Sequence, residues 1–262
     1  MYGFLVIALY LVAAGLSAWS AARRAERSVA AYVALPAVLT HGTWLALTLR
    51  AQPGFALDIA DSLSLFGLVL GLIGSLLSWR SGFRGPASLL LVAAAALAVG
   101  TGSLSTLRIS GEAGWPLFLH VTLSALAFGL LAAAAVLTLI LAFQDAALKG
   151  RAPGHWLQAL PPMESMERAV FSVLTLGFIC LSATLLVGAL LITDLFSQRL
   201  VHKVVLAVAA WAIFGTLLYG RVRHGWRGRQ ARRLLLWGFA LLAMSYFLTK
   251  FILEVVLGRH WG

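Results

Sequence analysis

Charge is what this sequence has least of. Of its 262 residues only 11% are Asp, Glu, Lys or Arg, and only nine are acidic, where an average soluble domain is about 25% charged. That scarcity excludes a water-soluble globular protein. Cysteine is nearly absent as well. The lone Cys180 rules out an internal disulfide framework, a Cys-x-x-Cys redox pair and covalent Cys-x-x-Cys-His haem attachment. It lies in the apolar run 174–191 and reads as a small packing residue. No Gly-x-Ser-x-Gly elbow, Walker-type phosphate loop or His-Glu-x-x-His motif occurs, and there is no repeat or low-complexity linker. No catalytic constellation is visible, so an enzyme is not expected.

What the sequence has is apolar length. Hydrophobic residues make up 61% of the chain, enough for about eight spans of ~20 residues, the length that crosses ~30 Å of hydrocarbon at 1.5 Å per residue. Runs bounded by charge fall at 2–20, 28–49, 61–79, 86–107, 115–143, 169–193, 200–220 and 234–257. They are rich in Ala, Leu and Val without period-two alternation, and they are longer than barrel strands, so helices are expected. The expected fold is an all-α integral membrane protein: one domain over 1–262, a bundle of about eight transmembrane helices. The first run reads as a retained span, because no positive segment precedes it and Arg23, Arg24 and Arg27 follow.

The net charge of +11 could suggest nucleic acid, but its distribution gives it another purpose. Loops after the first, third, fifth and seventh runs carry Arg23, Arg24, Arg27; Arg80, Arg84; Lys149, Arg151, Arg168; and Arg221, Arg223, Arg227, Arg229, Arg232, Arg233, fourteen in all. The opposite side carries five: Arg50, Arg108, Arg199, Lys203 and Arg259. By the positive-inside rule both termini lie outside, on the periplasmic face of an inner (plasma) membrane. The lipid bilayer is then the partner, and nucleic acid is not. The cluster at 221–233 is first of all a topogenic loop. Gly67-x-x-x-Gly71, followed by Gly74, marks close helix packing, and Trp19, Trp79, Trp115, Trp237 and Trp261 near run ends suit an interfacial belt.

Ionisable groups inside apolar runs cost several kcal/mol to bury and are usually retained for a reason. His41 in the second run and His120 in the fifth stand out. Counted along helices, His41 lies about 13 Å in from Arg50 and His120 about 7 Å in from Trp115. Both fall in the outer half of the bilayer. Two imidazoles at one depth suit axial ligation of a haem within a bundle. Gly42, Ser124 and Ala127 would leave room for the ring. Arg50, Arg108 and Lys203 lie on the outer side, where haem propionates would need cations, and where span-end residues also snorkel. His202 opens the seventh run beside Lys203 and His260 lies in the outer tail; either could face a shallower haem position or be a solvated interfacial residue. Lys250 and Glu254 form an i, i+4 pair near the outer end of the eighth run, while Asp58, Asp61, Glu112 and Asp194 fall at or beyond span ends. His155 and His224 lie among basic residues on the other side.

Several segments together carry a resemblance. They are His41-Gly42 with the Leu-rich stretch to Arg50, Ser62 to Phe66, "PLFLHVTLSALAFGLL" around His120 and "MESMERAVFSVLTLGF". "HKVVLAVAAW" from His202 and "GWRGRQA" from Gly225 complete the set. In this order, over nearly the whole chain, they resemble the cytochrome c assembly superfamily (CcsA/CcmC/HemX-like), in particular its short YpjD-like inner-membrane branch. The resemblance implies a membrane protein that binds haem b for cytochrome c maturation, with His41 and His120 at the positions of the family's transmembrane haem ligands. It implies other maturation proteins as partners. The family's Trp-Gly-x-x-Trp-x-Trp-Asp segment is absent, and "ITDLFSQRLVHK" (192–203) stands in its place. A haem-binding or accessory role is therefore implied rather than a haem ligase, with His202 lining an exit toward the outside. The residues alone leave two rivals open: an ion or metal efflux component whose histidines hold a divalent cation, and a scaffold whose histidines tie helices together.

Overall fold

The structure is a computed structural model that describes residues 2–25, 29–51, 59–98, 115–150, 157, 160–191 and 201–251. Among them are eight α-helices and one 3₁₀ turn, and no strand. The helices are α1 (Tyr2–Ala22), α2 (Ala30–Ala51), α3 (Ile59–Ser78), α4 (Arg84–Leu97), α5 (Trp115–Lys149), α6 (Met163–Leu191), α7 (Val201–His224) and α8 (Gly228–Phe251), with the turn at Ser81–Phe83. The all-helical expectation holds. Six helices, α1, α2, α3, α5, α6 and α7, are long and apolar enough to cross a membrane. The expected spans at 86–107 and 234–257 both run beyond the described residues.

Helix ends depart from the apolar runs in a consistent direction. The fifth and sixth runs were bounded at 143 and 169 by polar residues, yet α5 continues to Lys149 and α6 begins at Met163. Gln, Glu, Lys and Arg are good helix formers, so a change in polarity need not end a helix. Pairs one turn apart brace these polar ends: Lys149 Nζ to Asp145 at 2.9 Å and Arg168 to Glu164 at 3.2 Å. At 35 residues α5 is ~52 Å long, well beyond ~30 Å of hydrocarbon. Likewise, most of the basic cluster at 221–233 is helical. The break is at 225–227; Gly225 (φ 65°), just past α7, and Gly228 (φ 67°), the first residue of α8, adopt the left-handed backbone that turns the chain.

The chain divides into two compact units, 1–106 with 139–169, and 107–138 with 170–262. In the first, α1 packs on α2 and α4, and α3 on α2 and α4. The small-residue signal in α3 is borne out. A Cβ on Gly67 would sit 3.0 Å from Leu97, one on Gly74 3.1 Å from Leu91, and one on Gly71 in the Tyr10 ring of α1. At the polar end of this unit Arg84 is buried and donates from Nη1 to the Ala25 carbonyl. Gln144 Nε2 donates to the Pro161 carbonyl at 2.9 Å, and Gly82 lies against Pro161. Arg84→Met removes a charged donor from a part-buried carbonyl and is expected to cost about 1–2 kcal/mol, measured as a lower unfolding midpoint in detergent. An unchanged midpoint would show that water replaces the guanidinium.

In the second unit α7 and α8 form a hairpin, with Gly238 of α8 tight against Phe214 of α7. Gly177 of α6 lets Leu131 of α5 approach, where a Cβ would be 2.9 Å away. Phe178 stacks on Trp211 at 5.7 Å, and Trp211 Nε1 donates to Ser182 Oγ at 2.8 Å.

Candidate functional site

His41 is fully buried in the first unit, with a partner at each ring nitrogen. Tyr10 Oη of α1 lies 3.2 Å from Nδ1 and Ser64 Oγ of α3 lies 2.8 Å from Nε2. Tyr10 and Ser64 are themselves fully buried. Two neutral arrangements satisfy the chain: Tyr10 donates to Nδ1 and Nε2–H donates to Ser64, or Ser64 donates to Nε2 and Nδ1–H donates to Tyr10. The Tyr10 ring meets the imidazole edge-on, with centroids 5.7 Å apart, and Trp44 lies one turn away at 6.2 Å. Gly71 is the reason the phenol fits, since any side chain there would occupy its place. One imidazole thus joins three helices that are far apart in sequence. Asp61, read from the sequence as a span-end residue, stands in the first turn of α3 and is buried, one turn from Ser64 on the same face.

His120 is half-buried in the second unit and differs in one respect. Its Nδ1 is buried and has no hydrogen-bond partner among the described residues. Facing the ring is Gly188 of α6, where a Cβ would come 2.9 Å from Cε1 and 3.3 Å from Nδ1. One turn earlier on α6, Thr184 Oγ1 is also buried without a partner among the described residues. Ser124 Oγ donates to the His120 carbonyl at 2.7 Å, satisfying itself within α5. In the tautomer protonated at Nε2 this buried nitrogen has a free lone pair, beside a cradle that one methyl group would fill; a neutral imidazole of this kind fits an iron porphyrin. His41 has the same donor type, but its Nε2 must leave a neutral hydroxyl before it can bind anything else.

The remaining sequence candidates are placed only in part. Arg108, Glu112, His155, Asp58, Asp194, Glu254 and His260 lie outside the described residues, as does most of 192–203. Arg50, His202 and Lys250 stand in α2, α7 and α8, and their side chains lie outside the description too. Lys203 is at the start of α7, and its carbonyl accepts from Ser245 Oγ at 2.8 Å. His224 packs against Tyr219 and Trp226 at the α7–α8 turn. No group of three or more His, Cys, Asp or Glu able to hold a metal ion occurs among the described residues. Sequence reasoning passed over Tyr10, Ser64, Thr184 and Gly188. The one signal for any of them was a tyrosine in the middle of an apolar run.

Comparison with known proteins agrees with this architecture. The chain is 32% identical over 145 residues to the inner membrane protein YpjD of Escherichia coli K12, covering 55% of each chain. It is 36% identical over 150 residues to a protein of Azospirillum brasilense named "Uncharacterized 28.8 kDa protein in nifR3-like 5'region", covering 56% of this chain and 55% of that one. These matches span about half the length of the relatives. No solved structure matches. The profile of the family described as Cytochrome C assembly protein matches residues 2–257. With six helices among the described residues long and apolar enough to cross a membrane and a relative named for the inner membrane, the chain is a multi-pass inner-membrane protein, and it belongs to the cytochrome c assembly protein family.

Proposed function

We propose that this protein binds haem b within the membrane and serves cytochrome c maturation by holding or passing it, with His120 as an iron ligand. The observation that carries the reading is the buried, unpartnered Nδ1 of His120 beside the Gly188 cradle, in a chain of the cytochrome c assembly family. Bound haem would supply an electrophilic iron and a flat apolar ring. The chain's part is to present a neutral imidazole and exclude water from it. That His41 would also hold the haem rests on the depth count along the sequence, and it would require Ser64 to release Nε2. Arg50 and Arg108 are the proposed cations for the propionates, and His202 a proposed exit residue, all three from their positions in the sequence. Fourteen basic residues on one side against five on the other support termini that face outward. The role is accessory rather than catalytic, in keeping with the missing tryptophan-rich segment.

The test is spectroscopic. Protein purified in detergent from a haem-replete host is expected to show a reduced α-band and a haem b pyridine haemochrome, and His120→Ala is expected to lose most of both. A colourless wild-type protein from such a host, or an α-band unchanged in His120→Ala, would overturn the reading.

A further inference from the structure

The α7–α8 turn gathers six arginines in thirteen residues: Arg221, Arg223, Arg227, Arg229, Arg232 and Arg233. No acidic residue occurs anywhere from 195 to 253, so neither helix of the hairpin carries a carboxylate to neutralise them. Orientation across the membrane accounts for the sign of this charge, but not for its density or its placement.

The turn is a built structure. The Trp226 ring lies directly on Gly220, and Trp226 N–H donates to the Gly220 carbonyl at 3.1 Å. Arg221 is folded inward, donating to the Trp226 carbonyl at 3.2 Å and lying over the Phe171 ring at 4.5 Å. Other arginines point outward from this frame. Along α8 the residues Ala231, Leu235, Gly238, Leu242 and Ser245 form the buried face. Arg229, Arg233 and Trp237 follow one another at four-residue spacing on the other side, all exposed, Trp237 at 68%. Met244 continues the same exposed stripe two turns on. Two exposed arginines therefore stand one and two turns from an exposed tryptophan on a single stripe, with exposed Met244 beyond it. That is the order in which phosphate headgroups lie above acyl chains, and interfacial tryptophan marks the boundary.

We propose that the exposed arginine stripe of α8, Arg229 and Arg233 with Arg223 at the end of α7, is a binding site for the phosphate headgroup of an anionic phospholipid. Guanidinium groups suit this ligand because their planar forks bind phosphate oxygens in pairs. Continuity of the stripe with Trp237 and Met244 favours a lipid over a soluble anion or an acidic protein, since the same molecule can satisfy the charge above and the apolar face below. This site is independent of the haem reading.

The test uses the full chain in a neutral detergent, titrated with phosphatidylglycerol, phosphatidylcholine or inorganic phosphate. Bound lipid is counted by native mass spectrometry and the unfolding midpoint is followed in parallel. Phosphatidylglycerol is expected to be retained preferentially, to raise the midpoint, and to be released as salt rises. Each arginine at an anionic surface contributes roughly fivefold, so Arg229→Gln/Arg233→Gln is expected to weaken retention by more than about tenfold. The pair Arg23→Gln/Arg80→Gln, basic residues of the same topological side, is expected to leave it unchanged. Equal retention of the two lipids would overturn the proposal, as would equal loss in the control pair. Displacement by inorganic phosphate at matched concentration would also overturn it, assigning the site to a soluble anion.

Discussion

His41→Ala is expected to lower the unfolding midpoint in detergent well below that of His120→Ala. Truncation at 41 leaves Tyr10 Oη and Ser64 Oγ facing a cavity between α1, α2 and α3, at positions with no access to water. Two hydrogen bonds within a membrane are worth about 0.6–1.7 kcal/mol each. The cavity adds to this, for a total of about 2–5 kcal/mol. His120 has no such bond to lose at Nδ1. A consequence for spectroscopy follows: loss of haem in His41→Ala is what both a ligand and a structural cross-link would produce. Ser64→Ala separates the two. It leaves the imidazole in place, held by Tyr10, and frees Nε2 at a cost of about 1 kcal/mol. If His41 binds iron, haem retention in Ser64→Ala rises, because Nε2 no longer has to leave a hydroxyl; if His41 only ties three helices together, retention is unmoved. An equal midpoint for His41→Ala and His120→Ala would refute the account of His41 as a three-helix junction.

Gly188→Val is expected to reduce the haem-to-protein ratio by about tenfold or more while the protein stays folded. The added Cβ arrives 2.9 Å from Cε1 of His120, and the branched methyl groups fill what remains of the cradle. The ring is half-buried and can swing aside, so the overpacking cost stays near the low end of about 1–3 kcal/mol. Gly177→Val is the matched control on the same helix, since its Cβ meets Leu131 rather than a histidine. It should cost stability and leave the ratio of bound haem alone. Normal haem content in Gly188→Val would sink the assignment of this cradle.

Helical class, the two histidines and the close-packing glycines of α3 were all legible in the sequence, because each is a local signal: a run of apolar residues, an ionisable group within one, glycines four and three residues apart. The ends of α5 and α6 were not. Polarity marks where a helix leaves the hydrocarbon, whereas its end depends on capping and on tertiary support such as the Gln144–Pro161 bond. The setting of His41 was also hidden. Tyr10 is 31 residues and Ser64 23 residues away, and nothing in a helical period says which face of α1 or α3 will meet α2. Asp61 illustrates the same limit. Its place at the start of α3 was readable, but its burial depends on neighbours that only the packed helices supply.

The first unit is discontinuous: it takes residues 1–106 and then 139–169. During synthesis, therefore, α1 to α4 reach the membrane before the segment that finishes them exists. Pro161, the residue against which Gly82 and Gln144 rest, is translated some sixty residues after α4 ends at Leu97. At about 5–20 residues per second, the early helices wait several seconds before Pro161 can reach Gly82. A fragment that stops after α4 would remain in that state permanently, so this protein is expected to resist expression as two halves divided at residue 106.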